Sequence, residues 1–389
     1  MISRPAVLEW FWIVAVVAAS LVGSALVDYS GSTPFYLIAL ALVLLRAINP
    51  ARPAKSARIW PFMLFAALAL WGLFGSLAGR LVYGQTANSL ALFVPLLIPV
   101  VDVLRRRAMS VDYVRNGFMF VSAAYCVTAV FVVGFGSDIV SEVQFRHQTS
   151  YFLAMSLATA LILRSAWLSL LSVLATVVCF LAYPALTYVL VIAVTFVVVA
   201  LHSLPRRLSI PALWLGVVFL VAVVSFRSKI EELRIGYFES VGKTDNTRTR
   251  EVLYEIGVTR LREQPAFGSF FVDNIAVRAP NNVTGPFKFV PLHNDYLQIA
   301  VAGGLIFVAL LLVSLFGIIL VAVNSILKVT DRDNPNRSVT SIALATLLAM
   351  LVIAIFNPIL VEPGAAIVLA LTVVILSNAT AQEGNVESL

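Results

Sequence analysis

Charge is what this chain has least of. Asp, Glu, Lys and Arg make up 12% of its 389 residues against 60% hydrophobic ones, and the mean hydropathy is +0.96. Outside a few loops, no stretch is polar enough to be a water-soluble domain. Cysteine is almost absent: Cys126 and Cys179 both fall inside apolar runs, where they read as small buried hydrophobes rather than a disulfide or metal centre. Histidine is limited to His147, His202 and His293, and His202, beside Pro205, Arg206 and Arg207, reads as a headgroup contact. Nothing here implies a metal or a cofactor. The long apolar runs carry their charges at their ends and show no two-fold repeat, which argues against a transporter, for which mid-membrane ionisable groups are expected. No polar or glycine-rich stripe suggests a pore. The net charge of +7 does not signal nucleic acid, because of where the cations lie.

Apolar runs are what the chain does have. Reading segments of roughly 20 residues, and accepting shorter ones for a packed bundle, places about twelve spans at 10 to 27, 34 to 49, 59 to 79, 88 to 104, 115 to 135, 149 to 164, 166 to 182, 184 to 201, 209 to 226, 296 to 323, 339 to 356 and 363 to 378. They should be helices, since hydrocarbon offers no partner to an open backbone. The expected fold is all-α: a polytopic membrane bundle with one large periplasmic loop domain. Its parts are 1–226, an N-terminal bundle of about nine helices; 227–295, the loop domain; and 296–389, about three helices and a short tail.

Of the 27 basic residues, 15 fall on the side of the N-terminus, Arg105, Arg106, Arg107, Arg206 and Arg207 among them, while the opposite short loops hold only Arg80 and Arg146. Positive charge in short loops marks the cytoplasmic face, so both termini are expected inside and the long loop outside. That loop, 227 to 292, carries ten basic and eight acidic residues. Its middle reads as an amphipathic helix from about Arg248 to Glu263, with Leu253, Ile256, Gly257 and Leu261 on one stripe and Pro265 ending it. Arg250 and Tyr254 share a face. Pro280, Asn281, Asn282, Gly285 and Pro286 then suggest irregular loop.

Past the loop, His293 stands immediately before a long apolar helix, in Phe287 to Gly304. A lone imidazole there fits either a backbone hydrogen bond or acid–base work. Asn294 can cap the helix and Asp295 favours its N-terminal dipole, although Asp295 is also placed to orient an imidazole. Asp331-Arg332-Asp333 has the spacing of a metal-binding Asp-x-Asp, but the expected topology puts it on the opposite face from His293. Asn334-Pro335 after it favours a solvated turn.

The ordered set Arg250-Glu-Val-Leu-Tyr254, Pro265-Ala-Phe-Gly268, His293-Asn294-Asp295-Tyr296-Leu297 and Gly303-Gly304-Leu305 resembles the signature of the O-antigen ligase and polymerase family. The resemblance implies a membrane glycosyltransferase of the C type, active in lipopolysaccharide and polysaccharide biosynthesis. Such an enzyme moves a glycan from undecaprenyl pyrophosphate at the periplasmic face of the bacterial inner membrane. The acceptor is a lipid A core for a ligase, or another carrier-linked glycan for a polymerase. On this reading His293 is the base, and Arg250, then Arg146 and Arg248, hold the pyrophosphate; Asn294, Asp295 and Tyr254 support them. The residue types suit the chemistry: a pyrophosphate is already a good leaving group and needs charge stabilisation, which a guanidinium fork supplies. The acceptor hydroxyl must lose a proton, which a neutral imidazole takes. One displacement inverts the anomeric carbon, so no second carboxylate is required. One departure stands out: many relatives carry Ser-Arg after the seventh span, where this chain reads Tyr183-Pro184-Ala185-Leu186. A cation there must come from elsewhere, Arg80 being the candidate. The reading from another class is a flippase for lipid-linked glycans.

Overall fold

The computed structural model describes residues 60–84, 93–105, 110–134, 150–182, 186–226, 229, 247–271, 277–281, 285–290, 292, 294–357, 359 and 363–386. In chain order these form α1 (Trp60–Tyr83), α2 (Leu97–Arg105), α3 (Val111–Gly134), α4 (Ser150–Ile162), α5 (Ala166–Ala182), α6 (Leu186–Ser203), α7 (Arg206–Ser225), α8 (Thr247–Glu263), β1 (Val277–Asn281), β2 (Gly285–Val290), α9 (Asp295–Lys328), α10 (Pro335–Phe356) and α11 (Pro363–Val386). The expected spans at 10 to 27 and 34 to 49 lie outside the described residues. Nine of the other ten coincide with a helix, and the span at 88 to 104 does so only in its second half, where α2 starts at Leu97. Among the described residues five helices, α1, α3, α6, α9 and α10, are long and apolar enough to cross a membrane.

Packing centres on α4 and α10. α10 touches α3, α4, α6, α9 and α11, and twelve of the thirteen residues of α4 are buried. Both helices are rich in small residues, Ala154, Ser156, Ala158 and Ala160 on one, Ser341, Ala343, Ala345 and Ala349 on the other. In lipid, where tails are as apolar as leucine, close approach of small residues replaces the hydrophobic drive between helices. The hydroxyls cost little, because Ser156, Thr159, Ser341 and Thr346 donate to carbonyls one turn back.

Two details differ from the expectation. The stretch read as irregular loop forms an antiparallel ribbon, Val277 opposite Val290 and Ala279 opposite Lys288, with a register shift between Ala279 and Asn281. Pro280, which has no N–H to give a ladder, sits at that shift. His202, read as a headgroup contact, is buried, its Nδ1 3.1 Å from Ser341 Oγ. Asp102 lies at a span end, as expected of a charge, but is 2% exposed and accepts from Asn378 Nδ2 on α11 at 2.8 Å.

Candidate active site

α8 is built from the pattern the sequence predicts. Leu253 is buried against Leu292 and Val301, with Ile256, Leu261 and Leu297 around them. Gly257 lets the helix come this close: a Cβ there would stand 2.9 Å from both Leu292 Cδ1 and Leu297 Cδ2. Arg250 and Tyr254, one turn apart, are half-buried on the flank of this seam. Arg248 lies on the first turn of the same helix.

α8 therefore packs on the start of α9, and that start is braced from both sides of position 293. The Leu292 N–H donates to Gln298 Oε1 at 3.1 Å, and Asn294 caps α9, its side chain accepting from the Leu297 N–H at 2.9 Å. Asp295 is buried, and its Oδ2 accepts from the Ile359 N–H at 2.9 Å. It thus ties α9 to the stretch between α10 and α11, in addition to sitting at the helix N-terminus where a carboxylate is favoured. Tyr296 donates from its hydroxyl to Leu351 O at 2.9 Å. His293 and Arg146 lie outside the described residues, as do Arg80's side chain and residues 183–185.

The feature that organises this region is an interlock between residues 265–271 and a break in α9. Gly304 has φ 76 and ψ 172 inside an otherwise helical run. The break frees the carbonyls of residues 301 and 302 and the N–H groups of 305 and 306, and the loop after α8 takes all four. Leu305 N–H donates to Pro265 O at 2.9 Å and Ile306 N–H to Ala266 O at 3.2 Å; in return Ser269 N–H donates to Val301 O at 3.2 Å and Phe271 N–H to Ala302 O at 2.9 Å. Backbone at membrane depth must find partners inside the protein, and here two irregular segments satisfy each other.

Only glycine fits at the crossing. A Cβ on Gly268 would lie 2.6 Å from both Gly304 N and Val301 O, and one on Gly304 would lie 2.2 Å from Ala266 O. Below the crossing, Phe271 plugs a space made by Gly75 and Gly303. Its ring meets Phe93 and Phe307 edge to face at 4.9 and 5.0 Å, and Trp71 meets Phe307 at 5.7 Å. These geometries are the favourable ones for aromatic pairs. The signal for this interlock was in the sequence as Pro-x-x-Gly and Gly-Gly, but nothing in either fragment says that they meet.

Other candidates resolve as structure. Asp331-Arg332-Asp333 is an exposed turn in which the Asp333 N–H donates to Asp331 Oδ1 at 3.0 Å, and Asp333 lies 3.9 Å from Arg164 with both side chains in solvent. Among the described residues no group of three or more His, Cys, Asp or Glu is placed to hold a metal ion. Sequence reasoning missed the role of Arg337, which is buried and donates to Val329 O at 2.6 Å and His202 O at 2.7 Å. It thereby binds carbonyls at the C-terminal ends of α9 and α6, where a cation is favoured. A cavity of about 20 Å³ beside Tyr296, Phe65 and Phe307 is apolar and no larger than a water, so it is a packing gap, not a substrate cleft.

No curated protein matches the chain. Residues 170–313 match the family model described as O-antigen ligase. That stretch runs from α5 into α9 and contains α8, the ribbon, the braced start of α9 and both sides of the interlock, and it is over these residues that the chain is similar to the O-antigen ligase family.

Proposed function

We propose that this protein is a membrane glycosyltransferase that moves a glycan from undecaprenyl pyrophosphate to a lipid A core, working at the periplasmic face of the bacterial inner membrane with both termini in the cytoplasm. The observation that carries this reading is that three stretches distant in sequence, Arg250–Tyr254, Pro265–Gly268 and Leu292–Leu305, form one packed unit. In that unit the helix bearing Arg250 is held by Leu253 and Gly257 against the two leucines that bracket position 293. Such a unit can hold a phosphate-binding cation and a base at fixed separation, which is how positioning lowers a transfer barrier.

In the reaction the acceptor oxygen forms a bond to the anomeric carbon while the bond from that carbon to the pyrophosphate oxygen breaks. His293 receives the acceptor's proton. Arg250, aided by Arg248 and Arg146, neutralises the charge that stays on the departing pyrophosphate. Asn294 and Asp295 set the direction in which the chain enters α9, and Tyr254 flanks Arg250. The one displacement makes the transfer inverting. No cofactor is invoked.

The test uses purified protein with labelled carrier-linked glycan, with and without lipid A core. Product on lipid A supports the ligase, and longer carrier-bound chains would make the protein a polymerase using the same donor. His293→Ala should abolish transfer with membrane insertion intact, and Arg250→Ala should lower donor use by roughly 100-fold, the loss of one charge-stabilising group. Wild-type turnover by both variants would overturn the assignment. Movement of intact donor across the bilayer without transfer would favour the flippase.

A further inference from the structure

The expected organisation places everything from 227 to 292 outside the membrane. The interlock contradicts a purely aqueous location for its last part. Pro265 O and Ala266 O are hydrogen-bonded to the first two N–H groups after the break in α9, Leu305 and Ile306. Those two residues begin a line of exposed apolar side chains, Leu305, Ile306, Leu312, Val313, Phe316 and Leu320. At about 1.5 Å per residue this line is roughly 23 Å long, within the roughly 30 Å of bilayer hydrocarbon. If lipid covers the line, its first members lie in or at the edge of the hydrocarbon, and the loop bonded to them lies at the same depth.

A second helix gives the same level. Phe270 O and the Phe271 side chain press on Gly75, which lies inside the candidate span Trp60–Gly79. Leu81 and Val82, 82% and 69% exposed, continue α1 beyond it, about 10 Å further along the axis.

At this depth the loop presents Phe267 and Phe270. Their rings are stacked, 5.2 Å apart at 13°, and are 44% and 50% exposed; Phe74, which precedes Gly75 in the chain, is 65% exposed. The display is held under strain: Phe270 and Phe271 both have positive φ, 53° and 59°, a region that bulky residues leave unless the surroundings over-determine it. The Phe271 N–H bond to Ala302 O and the ring's fit beneath Gly303 are what hold it there.

We propose that residues 264–271 enter the membrane as a wedge, and that the Phe267–Phe270 stack is a lipid-contacting surface resting on bilayer hydrocarbon chains near the interface. Aromatic side chains are favoured at that boundary. α8 is thereby anchored to the bilayer at its C-terminal end through the wedge and to α9 along its length. This inference is independent of the transfer chemistry.

The experiment measures depth in the full-length protein reconstituted in vesicles. Spin labels are attached at Phe267→Cys and, as a smaller change at another exposed position of the loop, at Ala266→Cys. Leu312→Cys serves as the lipid-facing control and Asp333→Cys as the aqueous one. Cys126 and Cys179 are fully buried, so the wild-type protein reports the labelling background. The expected result is that labels at 266 and 267 collide preferentially with oxygen over a water-soluble nickel chelate, on the side of Leu312 and opposite to Asp333. Preferential collision with nickel at both positions would overturn the proposal and leave the transferase reading untouched.

Discussion

Gly304→Ala is the sharpest test of how α8 is held. The residue has φ 76 and ψ 172, a conformation open essentially to glycine alone, which costs any other residue about 1–3 kcal/mol. The added methyl would also stand 2.2 Å from Ala266 O and 2.4 Å from Phe267 Cα. Both are main-chain atoms that cannot rotate aside, and overpacking of this kind costs about 1–3 kcal/mol more. The alternative state is cheap. With the loop expelled, the carbonyls of Val301 and Ala302 can accept from the Leu305 and Ile306 N–H groups in ordinary helical fashion, and alanine favours that helix over glycine by about 1 kcal/mol. The docked state should lose roughly 4 kcal/mol relative to the undocked one, about a thousandfold in population. Hydrogen exchange read by mass spectrometry in nanodiscs should show peptides covering 265–271 losing protection while α10 keeps its own. Gly84→Ala is the matched control: its φ is +63 but nothing lies within 4 Å of the added carbon, so only the conformational cost of about 1 kcal/mol remains. Unchanged protection of 265–271 in Gly304→Ala would refute the reasoning, because the docked loop leaves no space for the methyl.

Arg337→Met should lower thermal stability in detergent by about 3 kcal/mol, since two charge-assisted hydrogen bonds, to Val329 O and His202 O, are lost together; Arg337→Lys should recover part of it, and equal melting of all three proteins would contradict the clamp. The Asp102 and Asn378 pair should show a coupling of about 0.6 kcal/mol in a double-mutant cycle of Asp102→Ala with Asn378→Ala, the usual size for hydrogen bonds between membrane helices; additive effects would mean that the bond contributes nothing. The losses expected of His293→Ala and Arg250→Ala in the glycan-transfer assay complete the set.

Much of the helical framework was legible because its cause is local. A run of apolar residues long enough for a bilayer can only be a helix there, so nine of the twelve expected spans coincide with described helices and a tenth does so in part. The amphipathic helix was legible for a similar reason: the spacing of Leu253, Ile256, Gly257 and Leu261 gives one apolar stripe, and Pro265 stops it. The cap at Asn294 follows from one residue and its successor. Where the reading failed, the deciding partner was distant. His202 is buried because α10 brings Ser341 to it. Pro280, Asn281 and Gly285 are turn formers in either context, so their composition alone does not separate an irregular loop from a ribbon.

The candidate site divides in the same way. Residue types, order and helical spacing, which the chain alone dictates, put Arg250 with Tyr254, ended the amphipathic helix at Pro265, and placed His293 before a long apolar helix that was read as unbroken through Gly303-Gly304. Only the folded chain decides that the helix breaks at Gly304, that the loop after α8 crosses it there, that each satisfies the hydrogen bonds the other leaves open, and that α8 is thereby fixed beside the start of α9. The physical reason is that a glycine announces a permitted conformation but not its partner: the carbonyls of 301 and 302 and the N–H groups of 305 and 306 demand bonds in any fold, and which segment supplies them depends on main-chain atoms common to every residue.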